Sequence, residues 1–87
     1  MTYKVRFLPS ARDELQALTP QMRQQFKQRL INRTAEPHQR SSQLHGFKNV
    51  FKIKLAADGH RLIYGTNDSQ SMIYVIAVGK PNLGPLG

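Results

Sequence analysis

Residues 51–78 read FKIKLAADGHRLIYGTNDSQSMIYVIAV, and this stretch decides the fold. Phe51, Ile53 and Leu55 alternate with Lys52 and Lys54, the period of two that marks a strand with one apolar face. Asp58-Gly59 follows, a dipeptide that accepts the positive φ angles of a tight hairpin turn. Leu62-Ile63-Tyr64 is then the return strand. Asn67-Asp68-Ser69 makes a second turn. Met72 to Val78 is apolar on both faces, which predicts a central strand.

Upstream, the first strand of this set begins near Lys48, and the polar run Ala35 to Gly46 reads as a loop. Before it, Thr19-Pro20 predicts a helix start, with a cap and then proline at the first helical position. Met22, Phe26 and Leu30 recur every four residues behind it, and the helix should run to about Arg33 because Pro37 forbids its continuation. A shorter helix precedes it, with Ser10 as the expected N-cap, Asp13 in the first turn and Leu15 and Leu18 on the buried stripe. The chain opens on a strand, Tyr3-Val5-Phe7 alternating with Lys4 and Arg6. The order is β-α-α-β-β-β, an α+β fold with two helices packed on a mostly antiparallel four-stranded sheet. Residues 1–80 are expected as one domain. Residues 81–87, rich in glycine and proline, are expected as an irregular tail.

Composition narrows the function. With 87 residues and no cysteine, the core must come from packed apolar side chains, and cysteine nucleophiles and thiolate metal sites are excluded. The longest apolar run, Met72–Val78, is far short of the roughly 20 residues of a membrane span. The N-terminus alternates charge with apolar residues, unlike a signal segment, so a cytoplasmic location is expected. Thirteen Lys+Arg against five Asp+Glu give a net charge of +8, which points to a polyanionic partner such as RNA, DNA, the ribosome or an acidic protein.

The hairpin places the charges. A two-residue loop at Asp58-Gly59 would pair Ala57 with His60, Ala56 with Arg61, Leu55 with Leu62 and Ile53 with Tyr64. Residues across a ladder share a face, so Leu55, Leu62, Ile53 and Tyr64 point one way. Lys52, Lys54 and Arg61 point the other way, close enough to share an anion. A solvated, lysine-rich strand face would carry the same pattern, so the register supports a cationic patch and not yet an enzyme.

Other chemistries find no foothold. Asp58 and Asp68 lie in predicted turns, Asp13 and Glu14 in a helix, and Glu36 in a loop, so no two acids are paired on a strand. Magnesium-dependent cleavage needs a carboxylate cluster, and no metal or cofactor is expected. His38, His45 and His60 are scattered, with His60 read as a turn-flanking residue. No glycine-rich phosphate loop is present.

The strand segment Phe51-Lys52-Ile53-Lys54-Leu55, the segment Asp58-Gly59-His60-Arg61-Leu62-Ile63-Tyr64, the Val78-Gly79-Lys80 that follows and Leu44-x-Gly46 ahead resemble the RelE branch of the RelE/ParE toxin superfamily. The resemblance implies a microbial-RNase-like sheet and a small cytoplasmic RNase that enters the ribosomal A site and cuts mRNA. It implies a cognate RelB-like antitoxin as partner. Lys52, Lys54 and Arg61 match the family's catalytic residues, and Lys48 and Lys80 are further candidates for RNA or ribosome binding. The implied mechanism is metal-free attack of the ribose 2′-OH on the adjacent phosphate, with a lysine as base or charge stabiliser and Arg61 on the phosphate. A lysine's ordinary pKa near 10.4 makes it a poor base at neutral pH, so such a role requires its cationic neighbours.

The chain departs from the family after Lys80. Pro81 stands where another basic residue is usual, and Pro81 to Gly87 contains no titratable or aromatic side chain, which implies attenuated activity. Three readings follow: a ribosome-dependent mRNA endonuclease, a ParE-like toxin that inhibits gyrase, and a catalytically weakened RNA- or ribosome-binding member. The cationic triad favours the first.

Overall fold

In the computed structural model, residues 2–55 and 59–80 are described. The elements are β1 (Lys4–Phe7), α1 (Pro9–Gln16), α2 (Pro20–Ala35), β2 (Val50–Lys54), β3 (Arg61–Asn67) and β4 (Met72–Gly79), with single 3₁₀ turns at Arg40–Ser42 and Asp68–Gln70. They form a four-stranded mixed sheet in the order β1-β4-β3-β2. The β2/β3 and β3/β4 pairs are antiparallel, and β1 runs parallel to β4. The doubly apolar strand is therefore internal, as its sequence predicts. The tail expected at 81–87 lies outside the described residues.

Both helices cover one face. Ala11 and Leu15 of α1 and Phe26 and Leu30 of α2 pack with Phe51, Ile53, Leu62, Tyr64, Ile73, Val75 and Val78 into one buried cluster. Met22 and Leu18 flank it. Thr19 caps α2 as expected, its Oγ1 accepting the Met22 N–H at 3.3 Å. That helix runs two residues past the expected end, to Ala35, before Pro37 stops it.

The start of α1 differs from expectation. Leu8 occupies the cap position without a side-chain hydrogen bond, and Pro9, not Ser10, begins the helix. A proline's fixed φ is already helical and its missing N–H costs nothing at that position, so no side-chain cap is needed. Asp13 consequently falls beyond the first turn.

The hairpin register also differs. Lys54 pairs with Arg61, Ile53 with Leu62, Lys52 with Ile63 and Phe51 with Tyr64, two residues out of step with the expected pairing. Leu55 donates its N–H to the His60 carbonyl at 2.9 Å, so the connection spans 56–59 rather than two residues. Gly59 takes a φ of +70°, the left-handed region that glycine accepts, while Ala56, Ala57 and Asp58 lie outside the described residues. Because strand faces repeat every two residues, this slip leaves the side chains of β2 and β3 on their expected faces.

A bulge in β4 has the opposite effect. The β3/β4 register jumps from Ile63–Ala77 to Tyr64–Val75, leaving Ile76 as the extra residue. Ile73 and Val75 point into the core before the bulge, and Val78 points there after it. The bulge explains why the core-facing parity of β4 switches from odd positions, Ile73 and Val75, to the even position Val78.

The loop after α2 is tied down by a polar network. Tyr64, fully buried, donates its hydroxyl proton to the Pro37 carbonyl at 2.7 Å and accepts from Arg33 Nη1 at 2.8 Å. Arg33 Nη2 also reaches Ser42 Oγ at 3.1 Å. His38 lies edge-on between Tyr3 and Phe51, and its Nε2 meets Asp68 Oδ1 at 2.8 Å.

Candidate functional site

Among the described residues both helices pack on one face of the sheet, and the other face carries the charge. On β2 the alternation that buries Phe51 and Ile53 in the core turns Lys52 and Lys54 away from it. On β3 the same alternation points Leu62 and Tyr64 into the core and Arg61 and Ile63 to the opposite face, where both are nonetheless buried, Ile63 at 3% exposure. Lys54 and Arg61 are direct cross-strand partners, closer than the diagonal that the sequence predicts. The hydrogen-bonded Leu55–His60 pair makes their neighbour a non-hydrogen-bonded pair, the kind whose Cα atoms approach to about 4.5 Å.

The three cations differ in exposure. Lys54 is exposed and Lys52 half-buried, while Arg61 is only 9% exposed although it faces away from the core. Among the described residues, the Arg61 guanidinium has no hydrogen-bond partner and no carboxylate within ion-pair distance. The ion pair found among these residues is His38–Asp68, which lies beyond the opposite end of β3. A like-charged pair directly across a ladder destabilises it. An anion bound between the two would reverse that sign.

Other elements fix the hairpin's end. Arg29 of α2 donates from Nη1 to the Lys54 carbonyl at 3.1 Å, anchoring the backbone that carries this lysine. Glu14 of α1 accepts the Val78 N–H at 2.9 Å through Oε1, closing the backbone of β4 beside the Arg61–Gly79 pair. Lys80 follows Gly79, the β4 partner of Arg61, and is exposed at this same end. Lys48 is not brought there. It precedes β2 by two residues, in a bend at the end of the strand opposite Lys54, which is itself about 13 Å from Val50 at the usual rise per residue.

Two cations missed by the hairpin argument share the open face. Lys4 pairs with Met72 and Arg6 with Tyr74, which puts both on the side of Lys52, Lys54 and Arg61. The alternation of Tyr3, Val5 and Phe7 with Lys4 and Arg6 signals which face they take, but not the strand they lie beside. That position depends on the parallel β1/β4 pairing, which has no local signature. His60 keeps a buried Nδ1 without a partner among the described residues, consistent with a turn-flanking position. No group of three or more histidine or acidic side chains is placed to hold a metal ion among the described residues.

A model of the ParE toxin of type II toxin–antitoxin systems matches residues 5–81. The chain is 44% identical over 80 residues to an Escherichia coli protein named as RelE-like toxin, covering 92% of this chain and 84% of that one. The chain belongs to the RelE/ParE toxin superfamily. A second relative, the mRNA interferase toxin RelE of E. coli K12, is 34% identical over the same shares of the two chains. The E. coli RelBE toxin–antitoxin complex contains a chain that superposes with a TM-score of 0.89 at 32% identity, covering 92% of this chain and 98% of that one. This RelE/ParE toxin thus shares its fold over 92% of its length with a chain of that complex. No helix among its described residues is long and apolar enough to cross a membrane.

Proposed function

We propose that this toxin is a ribosome-dependent mRNA endonuclease acting in the cytoplasm, with Lys52, Lys54 and Arg61 as its catalytic residues. The observation that carries the reading is the Lys54–Arg61 cross-strand pair, with Lys52 on the same face and no carboxylate paired to any of them among the described residues. The relative named as an mRNA interferase supports the substrate class.

Such a face suits a phosphodiester without a metal ion. The ribose 2′-oxygen attacks the adjacent phosphorus, the O2′–P bond forms and the P–O5′ bond breaks. Arg61 offers a planar fork of donors to the phosphate oxygens as charge builds on them, a geometry a lysine lacks. The two lysines stabilise the same charge, one receiving the 2′-OH proton and one supplying a proton to the departing 5′-oxygen. Lys80 and Lys48 hold flanking RNA or the ribosome. A cognate antitoxin of the RelB kind binds the toxin, a reading the existence of the RelBE complex supports, and neutralises it by covering the cationic face, which the net charge of +8 favours.

Toeprinting of ribosomes on a defined message tests the reading. Added toxin should produce new stops within the A-site codon on ribosome-bound message and none on naked RNA. Unchanged toeprints combined with inhibited DNA supercoiling would replace it with gyrase inhibition, the second reading, which the ParE family match favours.

A further inference from the structure

The outer edge of the sheet carries a second cationic cluster. β1 is an edge strand, and its exposed Lys4 and Arg6 lie on the open face through their pairing with Met72 and Tyr74. Arg12, exposed on the first turns of α1, comes over the same edge. Together with Val5, Phe7 and Met72 these three cations line a shallow cleft along the β1 edge. No carboxylate lines it. Among the nearby acids, Glu14 is engaged by the Val78 N–H, and Asp68 by Tyr3 and His38.

Between this cleft and the hairpin lies Tyr74. It is half-buried on the open face, with Arg6 on one side and Gly65, which has no side chain, on the other. Its hydroxyl is held by Gln70 Oε1 at 3.1 Å. With strands about 4.8 Å apart and a rise of about 3.3 Å per residue, Arg6 lies about 16 Å across the face from Arg61 and from Lys52. That distance suits a few nucleotides of extended chain. Two cationic clusters separated by an aromatic ring form the pattern of a single-strand track, with phosphates on the cations and a base stacked on the ring.

We infer that the Lys4–Arg6–Arg12 cleft is a second phosphate-binding site, which holds the backbone of the single-stranded RNA whose cleavage occurs at the hairpin. The inference rests on the nuclease reading for the identity of its ligand. An acidic protein segment would meet the same charges but has no use for Tyr74 or for a face continuous with the hairpin triad.

The test is fluorescence anisotropy with 2′-O-methyl oligouridylates of three and twelve nucleotides, which bind but cannot be cleaved. One variant combines Lys4→Gln, Arg6→Gln and Arg12→Gln, and the other combines Lys52→Gln, Lys54→Gln and Arg61→Gln. The first should weaken the twelve-mer roughly tenfold or more and reduce its log–log salt slope by about 2, with three-mer binding within about twofold of wild type. Its melting temperature should not change, because all three side chains are exposed. Unchanged twelve-mer affinity and slope, with both RNAs weakened by the hairpin variant, would overturn the second site and leave the nuclease reading standing. Equal loss of both RNAs in the β1-edge variant would merge the cleft with the hairpin and overturn a separate site. Unchanged RNA binding with reduced binding of polyglutamate would assign the cleft to a protein partner and overturn it too. RNA binding unaffected by either variant would remove the nuclease reading itself.

Discussion

Replacing Arg61 by methionine should make the protein more stable and less active at once. Methionine keeps an unbranched stem of similar reach, so little of the apolar burial at this 9% exposed position is lost. What disappears is a positive charge directly across the ladder from Lys54. Two unit charges about 4 Å apart repel by about 1 kcal/mol in water, and the exposure of Lys54 argues for a cost no larger than this. For a domain of this size, about 1 kcal/mol corresponds to a rise of roughly 4–8 °C in melting temperature. The gain should shrink in 1 M salt, where the screening length falls to about 3 Å. Cleavage should fall in the opposite direction by about 10²–10³, the usual loss when one preorganised donor to a developing oxyanion is removed. Calorimetry at low and high salt, run beside single-turnover cleavage of ribosome-bound message, measures both effects. A drop in melting temperature of similar size would mean that an internal partner holds the guanidinium for the fold. An unchanged cleavage rate would mean that no phosphate binds there.

Arg61→Lys should fail to restore cleavage while leaving the melt near wild type, because an ammonium cannot present two parallel donors to a phosphate; single-turnover rates decide this. Lys54→Ala and Lys52→Ala should each slow cleavage strongly with little effect on the melt, since neither side chain enters the core. Leu62→Ala, at a fully buried position between the helices and the sheet, should cost roughly 2–5 kcal/mol by chemical denaturation. Burial pushes the Tyr64 hydroxyl above its ordinary pKa of 10.0, with Arg33 partly opposing it, so the folded state keeps a proton that the unfolded chain releases. That contribution to stability is complete below about pH 10 and is lost as pH rises through the folded value. Thermal melts from about pH 8 to about pH 11 should show the decline, and Tyr64→Phe should remove this part of it.

Much of this architecture was legible because local signals agreed with one another. The period of two at Phe51, Ile53 and Leu55, the recurrence of Met22, Phe26 and Leu30, and the Thr19-Pro20 start each mark an element that the structure contains. The face of every hairpin residue was legible even though its register was not. A four-residue connection and a two-residue one differ by two steps, and two steps return each side chain to the same side. The closer approach of Lys54 to Arg61 was hidden for the same reason. Ser10 misled because residue type alone cannot show that Pro9 already begins the helix. The bulge at Ile76 was hidden within a run apolar on both faces, where no alternation exists to be broken. Lys4, Arg6 and Arg12 could not be placed beside the site, because the pairing that brings them there joins segments remote in sequence.

That remote pairing also governs when the fold can form during synthesis. Lys4 finds its partner only at Met72, so β1 waits for almost the whole chain before it joins the sheet. At about 5–20 residues per second the chain up to Asn67, where the β2/β3 hairpin ends, takes on the order of 3–13 s, and the hairpin then still lacks β4 until Gly79 is added. A lone two-stranded hairpin is marginal in water, so the cationic face is not assembled while the chain is still growing. The sheet, and with it the cationic face, is thus completed only once β4, which pairs with both β1 and β3, has been made.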